Sequence, residues 1–424
     1  MLLGCIADDL TGATDLAIML TRAGMRTLQV MQVPNAKMKL DGYDATVVAL
    51  KTRTCPVAEA IDLSLKSADA LLALGAKQLF FKYCSTFDST AQGNIGPVAE
   101  ALLARVEGDL AIACPAFPTN KRTVYLGNLY AGDVLLSESP MKDHPLTPMR
   151  DSNLVRVLQG QANGKVGLIP FAVVDKGAAA IGEAFASARA QGCRFVIVDA
   201  ITDKHLVDMG TAAAEHKLIT GGSGVALGLP ANFIARGLMR AAAPPPTMSA
   251  PSGRMAILAG SCSAATRAQI AAARAARMPS LRIEPEALDR SDAPTSAAAA
   301  SAWARAQPAH APVLIFSSDD PAEVAKVQAK LGRERAGRLV EDMMAATARR
   351  LIEAGFSRLI VAGGETSGAV VNALGVTALE IGPEIDPGVP WTRAIGGEHD
   401  LVLALKSGNF GADDFFLKAW EKLS

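Results

Sequence analysis

The stretch Leu2-Leu-Gly-Cys-Ile-Ala-Asp-Asp-Leu-Thr-Gly-Ala-Thr-Asp15 carries an apolar run straight into a segment with three carboxylates and two hydroxyl groups. The run from Leu2 to Ala7 predicts a buried parallel strand, and the apolar spacing from Ala13 to Leu20 predicts a helix that ends near Gly24. We predict Thr11 as the N-cap of this helix. A strand followed at once by a helix is typical of α/β folds, in which ligands bind outside the carboxyl ends of the strands.

The acidic residues of this stretch have two explanations. Asp9 and Thr11 could simply cap the helix, whose positive end favours acidic groups. One cap needs only one such residue, however, and successive strand side chains point in opposite directions, so Asp8 and Asp9 should have different roles. Asp15 lies one helical turn after Thr11 and on the same face. We therefore interpret the stretch as part of a functional site.

The overall composition is that of a globular protein long enough for two domains. Of the 424 residues, 50% are hydrophobic and 20% are charged, and the 42 Lys and Arg residues balance the 42 Asp and Glu residues. A net charge of zero argues against a nucleic-acid or membrane-surface partner. The six cysteines are scattered and form no CxxC pair. This pattern is typical of free thiols in a reducing compartment, and we expect a cytoplasmic protein.

Apolar runs alternate with helical or turn-forming segments along most of the chain, which predicts mainly parallel sheets. Residues 241–254 are rich in proline and small side chains and are interpreted as an interdomain linker. We therefore expect two α/β domains, at 1–240 and 255–424. The expected strands of the first are 2–7, 27–33, 45–50, 78–82, 110–114, 166–169 and 194–199, with a helix at 204–217; those of the second are 255–259, 313–316, 358–362 and 401–405.

Polar residues follow several of these strands, at the same predicted sheet edge as Asp8. Arg53 could grip a carboxylate bidentately with its planar guanidinium group. Lys82 is followed by a hydroxyl-rich run that includes Ser85 and Thr86 and suits a polyhydroxylated anion. A site that combines acids, cations and hydroxyl groups fits a small hydroxy acid better than an apolar ligand.

Two further polar segments, 120–123 and 144–153, are expected to form loops that close over this site. His144 in the second segment is either an acid or base or a structural hydrogen-bonding group, and its residue type alone does not decide. The glycines around Gly222 have the wrong spacing for a dinucleotide fingerprint. We expect them to form a turn at the domain junction.

Glycine-rich turns follow the strands of the second domain, at 260–263, 363–368 and 407–411, and another at 396–397 precedes its last strand. Glycine permits close backbone approach, and the helix-opening amides after Gly364 can receive phosphate oxygens. Together these turns predict a nucleotide site. The sequence contains neither a Walker A motif nor the protein-kinase signatures.

Three motifs in the same order resemble the four-carbon acid sugar kinase family: residues 7–13, 363–368 and 406–411. The match spans nearly the whole chain. The resemblance implies an N-terminal domain for a sugar acid, a C-terminal domain for ATP, and a reaction in the cleft between them. Residues 82–90, 114–118 and 144–149 are similar to the branch that phosphorylates the 4-hydroxyl of 3-oxo-tetronates, with D-threonate and D-erythronate as the alternative substrates.

The resemblance also implies site residues. The sugar acid should contact Asp8, Asp9, Thr11, Arg53, Lys82, Ser85 and Thr86. ATP should contact Ser261 or Ser263, together with Gly363, Gly364, Glu365, Thr366 and Gly408. Asp9 or Asp15 is the expected proton acceptor, and Mg²⁺ is expected to bridge the phosphates.

Functions of two other classes stay open. An NAD(P)-dependent hydroxy-acid dehydrogenase could use the glycine turns for its cofactor, but a ribose-binding acid at the required spacing is missing. A non-catalytic sensor could bind a sugar acid and ATP, but the sequence has no DNA-binding helix pair and no basic stripe. The stereochemistry of the substrate and the formation of a homo-oligomer also stay open.

Overall fold

The computed structural model describes residues 1–35, 38, 40, 42–144, 146–240, 247–288, 293–317, 326–327 and 329–424. Its contacts divide the chain into two compact units, Met1–Pro244 and Pro245–Ser424. Of the expected linker, residues 241–246 lie outside the described residues, and residues 247–253 belong to neither a helix nor a strand. The domain boundaries at 240 and 255 stay a prediction. None of the described helices is long and apolar enough to span a membrane.

The first unit is built on a parallel sheet. Its strands are β1 (Leu3–Ala7), β2 (Thr27–Val30), β3 (Ala45–Ala49), β4 (Gln78–Lys82), β5 (Ala111–Cys114), and, later in the chain, β9 (Lys165–Ile169), β10 (Cys193–Val198) and β11 (Leu218–Gly221). They lie in the order β2-β3-β1-β4-β11-β5-β10-β9, and their pairings are parallel. Every residue of β1, β3 and β4 is buried. Such strands read as continuous apolar runs because helices cover both faces of a parallel sheet.

A small antiparallel sheet stands apart from this parallel one. It contains β6 (Arg122–Tyr125), β7 (Asn128–Ala131) and β8 (Val134–Leu135). The expectation of a polar loop at 120–123 is therefore wrong for residues 122 and 123. Leu126 and Gly127 between β6 and β7 have φ angles of 49° and 73°, and positive φ at both central residues is the geometry of a two-residue hairpin turn.

The helices of the first unit connect its strands. Their bounds are Leu10–Arg22, Val57–Ala73, Ile95–Arg105, Leu154–Gln159, Phe171–Val174, Ala178–Ala190, Asp203–Ala212 and Pro230–Ala235. The helix expected at 204–217 ends at Ala212, because the chain then turns to enter β11 in the middle of the sheet. A short 3-10 helix, Ser223–Gly228, follows β11. The turn at Gly222 thus belongs to the interior of the first unit, and its prediction as a domain junction is wrong.

The second unit contains a mixed sheet. Its strands are β12 (Arg254–Ala259), β13 (Ser280–Arg282), β14 (Val313–Phe316), β15 (Phe356–Ala362), β16 (Ala378–Asp386), β17 (Val389–Ile395) and β18 (Val402–Lys406), and its helices are Ala264–Ala275, Pro285–Leu288, Ala293–Ala306, Arg333–Glu353, Gly364–Ala373 and Phe415–Lys418. The strands lie in the order β13-β14-β12-β15-β18-β17-β16. The neighbouring strands from β13 through β14, β12 and β15 to β18 pair in parallel, whereas β17 pairs antiparallel with both β16 and β18. The prediction of an α/β protein with mainly parallel sheets is confirmed.

Candidate functional site

Neighbouring strands bring the predicted sugar-acid residues of the first unit together. Ala7 at the end of β1 lies opposite Ala49 on one side and Lys82 on the other. β11 lies next to β4 and extends this edge, since Gly221 of β11 lies opposite Lys82 of β4. The segments that follow β1, β3, β4 and β11 therefore begin side by side, although they are far apart in the chain.

Arg53 holds Asp8 in a bidentate ion pair at this edge. Its Nε donates to Oδ2 of Asp8 at 3.0 Å, and its Nη2 donates to Oδ1 at 2.9 Å. Burial raises the pKa of the Asp8 carboxyl, and the guanidinium group counteracts that shift. The predicted bidentate grip on a carboxylate is thus present, but the carboxylate is that of Asp8. On the opposite side of the guanidinium group, Nη1 of Arg53 lies 3.6 Å from Oδ2 of Asp88.

Asp9 caps the first helix. Its Oδ1 accepts a hydrogen bond from the amide of Gly12 at 2.9 Å and lies 2.8 Å from Nη2 of Arg53. The prediction of Thr11 as the N-cap is wrong, because the helix begins at Leu10 and Thr11 is an exposed residue of its first turn. Asp8 and Asp9 therefore share Arg53 as a partner, and their roles differ because only Asp9 also caps the helix.

Lys82 is buried beside the same helix entrance, with an exposed fraction of 3%. Its Nζ donates to the carbonyl oxygen of Tyr83 at 2.8 Å. A Cβ atom on Gly12 would lie 2.7 Å from Nζ of Lys82. Glycine at this position thus lets the ammonium group approach the backbone of the helix entrance.

Asp15 is a further acidic residue, within the first helix, and its hydrogen-bond partner is Ser223. The hydroxyl group of Ser223 donates to Oδ2 of Asp15. Burial raises the pKa of Asp15, while Lys82 and the hydrogen bond from Ser223 act in the opposite direction. Ser223 is 1% exposed and begins the 3-10 helix after β11. Sequence reasoning missed Ser223, because the strand that delivers it was not recognised.

The hydroxyl-rich loop after β4 is a buried part of the unit. Thr86 is 5% exposed, and its hydroxyl group donates to Oδ1 of Asp88 at 2.5 Å. Sγ of Cys84 lies 2.9 Å from the same hydroxyl oxygen. Ser85 between them is half-buried. This loop therefore presents Asp88 to Arg53 and is not a solvated surface loop.

The segment that begins at His144 contacts this loop through Met149. The amide of Ser89 donates to Sδ of Met149 at 3.4 Å. Nδ1 of His144 accepts from the amide of Thr147 at 3.0 Å and lies 2.9 Å from its hydroxyl oxygen. These contacts give His144 a structural role at Nδ1. Pro145 lies outside the described residues.

The predicted nucleotide residues of the second unit also meet at one sheet edge. Ala362 at the end of β15 lies opposite Ala259 of β12 and Lys406 of β18. The three glycine-rich turns that follow these strands therefore begin next to one another. The peptide amides of Gly260 and Ser261 both donate to the carbonyl oxygen of Ala362, at 3.0 and 3.1 Å.

Ser263 and Gly408 join two of these turns. Ser263 caps the helix Ala264–Ala275 by accepting from the amide of Thr266 at 3.2 Å. Its hydroxyl group also donates to the carbonyl oxygen of Gly408 at 2.5 Å. A Cβ atom on Gly408 would lie 2.9 Å from Oγ of Ser263 and still closer to Oγ of Ser261. Gly408 is therefore required for the close approach of the two turns.

Gly363 and Thr366 form the third turn. Gly363 has a φ angle of 131°, which only glycine adopts readily, and it caps the helix Gly364–Ala373. A Cβ atom on Gly363 would lie 3.0 Å from Oγ1 of Thr366, which is 4% exposed. Gly364 and Glu365 are exposed in the first turn of the helix. Helix-opening amides at this position are suited to anionic oxygens.

Lys406 at the end of β18 is buried, with an exposed fraction of 1%. Its Nζ donates to Oγ1 of Thr266 at 3.0 Å and to the carbonyl oxygen of Gly408 at 3.2 Å. Thr266 was not predicted as a site residue, although its place three residues after the Ser263 cap could have indicated it. No group of three or more His, Cys, Asp and Glu side chains suited to a metal ion occurs within the described parts of the chain.

Comparisons with known proteins agree with this division. A sugar-binding N-terminal domain family matches residues 3–229, and a nucleotide-binding C-terminal domain family matches residues 256–416. The chain is 54% identical over 422 residues to a 3-oxo-tetronate kinase of Burkholderia multivorans, covering 100% of this chain and 97% of that protein. It is 53% identical over 424 residues to a 3-oxo-tetronate kinase of Cupriavidus necator, with the same coverage.

A solved structure from Salmonella typhimurium LT2, which carries the provisional name of a tRNA synthase, has the same fold. It superposes with a TM-score of 0.92 at 41% sequence identity, covering 100% of this chain and 99% of that one. Both halves of the chain thus match known domains, and full-length relatives share more than half of its residues. The chain belongs to the four-carbon acid sugar kinase family.

Proposed function

We propose that this chain is an ATP-dependent kinase that phosphorylates the 4-hydroxyl group of a 3-oxo-tetronate. The observation that carries this proposal is the 54% identity, over its whole length, to a protein named 3-oxo-tetronate kinase. The acids, cations and hydroxyl groups at the sheet edge of the first unit support a small hydroxy acid as the substrate. D-Threonate and D-erythronate are the alternative substrates.

The cations of the first unit are assigned to the substrate carboxylate. Lys82 presents an ammonium group beside Gly12, and Nη1 of Arg53, which lies 3.6 Å from Oδ2 of Asp88, takes no part in the Asp8 pair. Asp8 then acts indirectly, because its bidentate contact fixes the orientation of the guanidinium group. Thr11, Ser85 and Thr86 are assigned to the hydroxyl and carbonyl groups of the substrate.

We assign the proton acceptor to Asp15 rather than to Asp9. Oδ1 of Asp9 already serves the helix cap and Arg53. Asp15 accepts from Ser223 at Oδ2, and we assign its Oδ1 to the substrate hydroxyl group. Burial raises the pKa of Asp15, which makes its carboxylate a better base. As the hydroxyl oxygen forms its bond to the γ-phosphorus, the proton passes to Asp15 and the bond to ADP breaks. Asp9 is assigned to orienting the same hydroxyl group.

The turns of the second unit are assigned to ATP. The amides that follow Gly363 suit the phosphate oxygens, and Ser261 or Ser263 is assigned to the same nucleotide. Mg²⁺ bound with ATP would neutralise charge on the phosphates, as in other phosphoryl transfers. We place the transfer between the two units, since the two groups of residues lie on different units. The free cysteines agree with a cytoplasmic location.

A coupled assay of ADP release tests the function. The purified chain is supplied with ATP and Mg²⁺, and with a 3-oxo-tetronate, D-threonate or D-erythronate. We expect the highest kcat/KM with a 3-oxo-tetronate, and a ³¹P spectrum of the product that places the phosphate on C4. A higher value with D-threonate or D-erythronate would transfer the assignment to that substrate.

Two other results would remove the kinase assignment altogether. A nicotinamide-dependent absorbance change with a tetronate, without ADP release, would identify a dehydrogenase. Binding of both ligands without turnover would identify a sensor. RNA recognition of the kind a tRNA synthase needs has little electrostatic support here, because the formal net charge of the chain is zero.

A further inference from the structure

Lys406 is a buried cation that the phosphoryl-transfer proposal leaves unused. It is 1% exposed, and its Nζ donates to Thr266 and to the carbonyl oxygen of Gly408. Both partners are neutral. An ammonium group taken out of water loses its hydration, and neutral hydrogen-bond acceptors restore only part of that free energy. An anion is therefore the missing partner of this group.

The other charged groups near the turns have different partners or are exposed. Arg267, on the helix after β12, donates to the carbonyl oxygen of Cys262. Glu365, on the helix after β15, is exposed. Asp386 and Asp414 pair with Lys418. Within the described residues, no acidic side chain forms an ion pair with Lys406.

The carbonyl oxygen of Gly408 accepts hydrogen bonds from three side chains. It accepts from Ser263 at 2.5 Å, from Thr266 at 2.9 Å and from Lys406 at 3.2 Å. Since the turns after β12, β15 and β18 begin side by side, Lys406 lies behind the surface assigned to the nucleotide. Phosphate groups bound to these turns would bring negative charge to a cation in a region of low dielectric constant, where the attraction is strong.

We propose that Lys406 is a positioning residue whose positive charge is completed by the nucleotide phosphates, so that ATP binding is coupled to uptake of a proton by this lysine. The inference rests on the proposed ATP site. The pKa of Lys406 in the protein without ATP supports it, because burial lowers this pKa to about 8. Nearby phosphates raise that pKa again, since they favour the charged form. The affinity for ATP should therefore fall as the pH rises through 8.

Calorimetric titration of the full chain with ATP tests this coupling. At pH 8.5 the titration is repeated in two buffers of different ionisation enthalpy, and the difference in heat reports the protons taken up. We expect uptake of up to about one proton per ATP bound, and much less at pH 6.5, where Lys406 is already charged. The γ-phosphate of ATP is fully ionised at the higher pH and contributes little.

Three variants complete the experiment. Lys406→Met removes the charge with little change of volume; it should abolish the uptake and weaken ATP binding by about tenfold or more. Lys406→Arg keeps a permanent charge, so binding without uptake is expected. Lys422→Met replaces an exposed lysine of the same unit and should behave as the unaltered chain.

The outcomes separate the two proposals. If the unaltered chain binds ATP without proton uptake, or if Lys406→Met retains the uptake, the role of Lys406 is excluded and the kinase assignment is untouched. If the unaltered chain does not bind ATP at all, the assignment of the nucleotide site itself fails. Circular dichroism of Lys406→Met verifies that a loss of binding is not a loss of fold, and unfolding of this variant makes Lys406→Arg decisive.

Discussion

Arg53 and Arg156 make the same bidentate contact with an aspartate in different surroundings. Arg53 donates to Asp8 at 3.0 and 2.9 Å, and Arg156 donates to Asp151 at 2.9 and 2.7 Å. The side chains of the first pair are 22% and 6% exposed, and those of the second are 67% and 39% exposed. Comparing these two ion pairs therefore measures how burial changes the contribution of an ion pair to the free energy of unfolding.

Arg53→Met should destabilise the chain by about 3 kcal/mol, because it leaves the buried carboxylate of Asp8 without its donors. Arg156→Met should change the unfolding free energy little, since water replaces the lost partner. Urea unfolding followed by circular dichroism measures both variants. Equal shifts of the two midpoints would mean that burial of the Asp8 pair contributes nothing to stability.

Asp15→Asn tests the proton acceptor. The amide cannot accept a proton, so kcat should fall by about 10²- to 10⁴-fold while the affinity for ATP stays the same. Single-turnover kinetics and a binding titration with ATP measure the two quantities separately. A variant that keeps its turnover would return the role to Asp9, for which Asp9→Asn is the matched change because asparagine also caps helices well.

The hydrogen bond from Ser223 predicts the pH dependence of the reaction. Burial raises the pKa of Asp15, so activity should be lost on acidification at a higher pH than for an exposed aspartate. The bond from Ser223 lowers that pKa. Ser223→Ala should therefore move the acid limb of kcat/KM to still higher pH. Ser187→Ala, at an exposed helix position, is the control, and an acid limb that is the same in both variants would contradict the link between Ser223 and Asp15.

Contact between two elements holds Ser223 in place. The helix Asp203–Ala212 packs against the 3-10 helix Ser223–Gly228 where Gly210 meets Gly228. A Cβ atom on Gly210 would lie 2.6 Å from Cα of Gly228, which is too close for a backbone that cannot move. The absence of a side chain at Gly210 thus determines how near the Ser223 turn comes to the rest of the unit.

Gly210→Ala should destabilise the first unit by about 1 to 3 kcal/mol and lower kcat, because overpacking displaces the turn that carries Ser223. Gly182→Ala is the matched control in the helix Ala178–Ala190, where a new Cβ would have no atom within 4 Å. There alanine should stabilise by up to about 1 kcal/mol. Thermal unfolding and kcat measured for both variants test this prediction. A Gly210→Ala protein as stable and active as the unaltered chain would contradict the packing argument.

The elements found from sequence are those with uninterrupted apolar runs. β1, β3, β4 and β14 are buried at every position, and the predicted ranges match them within two residues at either end. β16 was missed because its segment contains Gly382 and Pro383, which are typical of a turn. In the structure, its pairing with β17 shifts register between Ile381 and Glu384, so that a bulge accommodates them. That accommodation depends on the partner strand.

At the scale of the whole molecule, the assignment of the sugar acid to one unit and ATP to the other requires that the two ligands meet. We propose that the units close on them, because phosphoryl transfer needs alignment and the exclusion of water. Small-angle X-ray scattering should detect a smaller radius of gyration with a 3-oxo-tetronate and a nonhydrolysable ATP analogue together than with either alone. An unchanged radius with both ligands would count against closure.

The sequence by itself determined the family, the two α/β units and the edge of each sheet at which polar residues collect. These properties depend on local patterns, namely apolar runs, glycine turns and short motifs. Tertiary structure decided which side chains meet there. Arg53 reaches Asp8 across 45 residues, Lys406 reaches Thr266 across 140, and Ser223 reaches Asp15 across 208. Such contacts follow from the order of strands in the sheet, and no local pattern encodes that order.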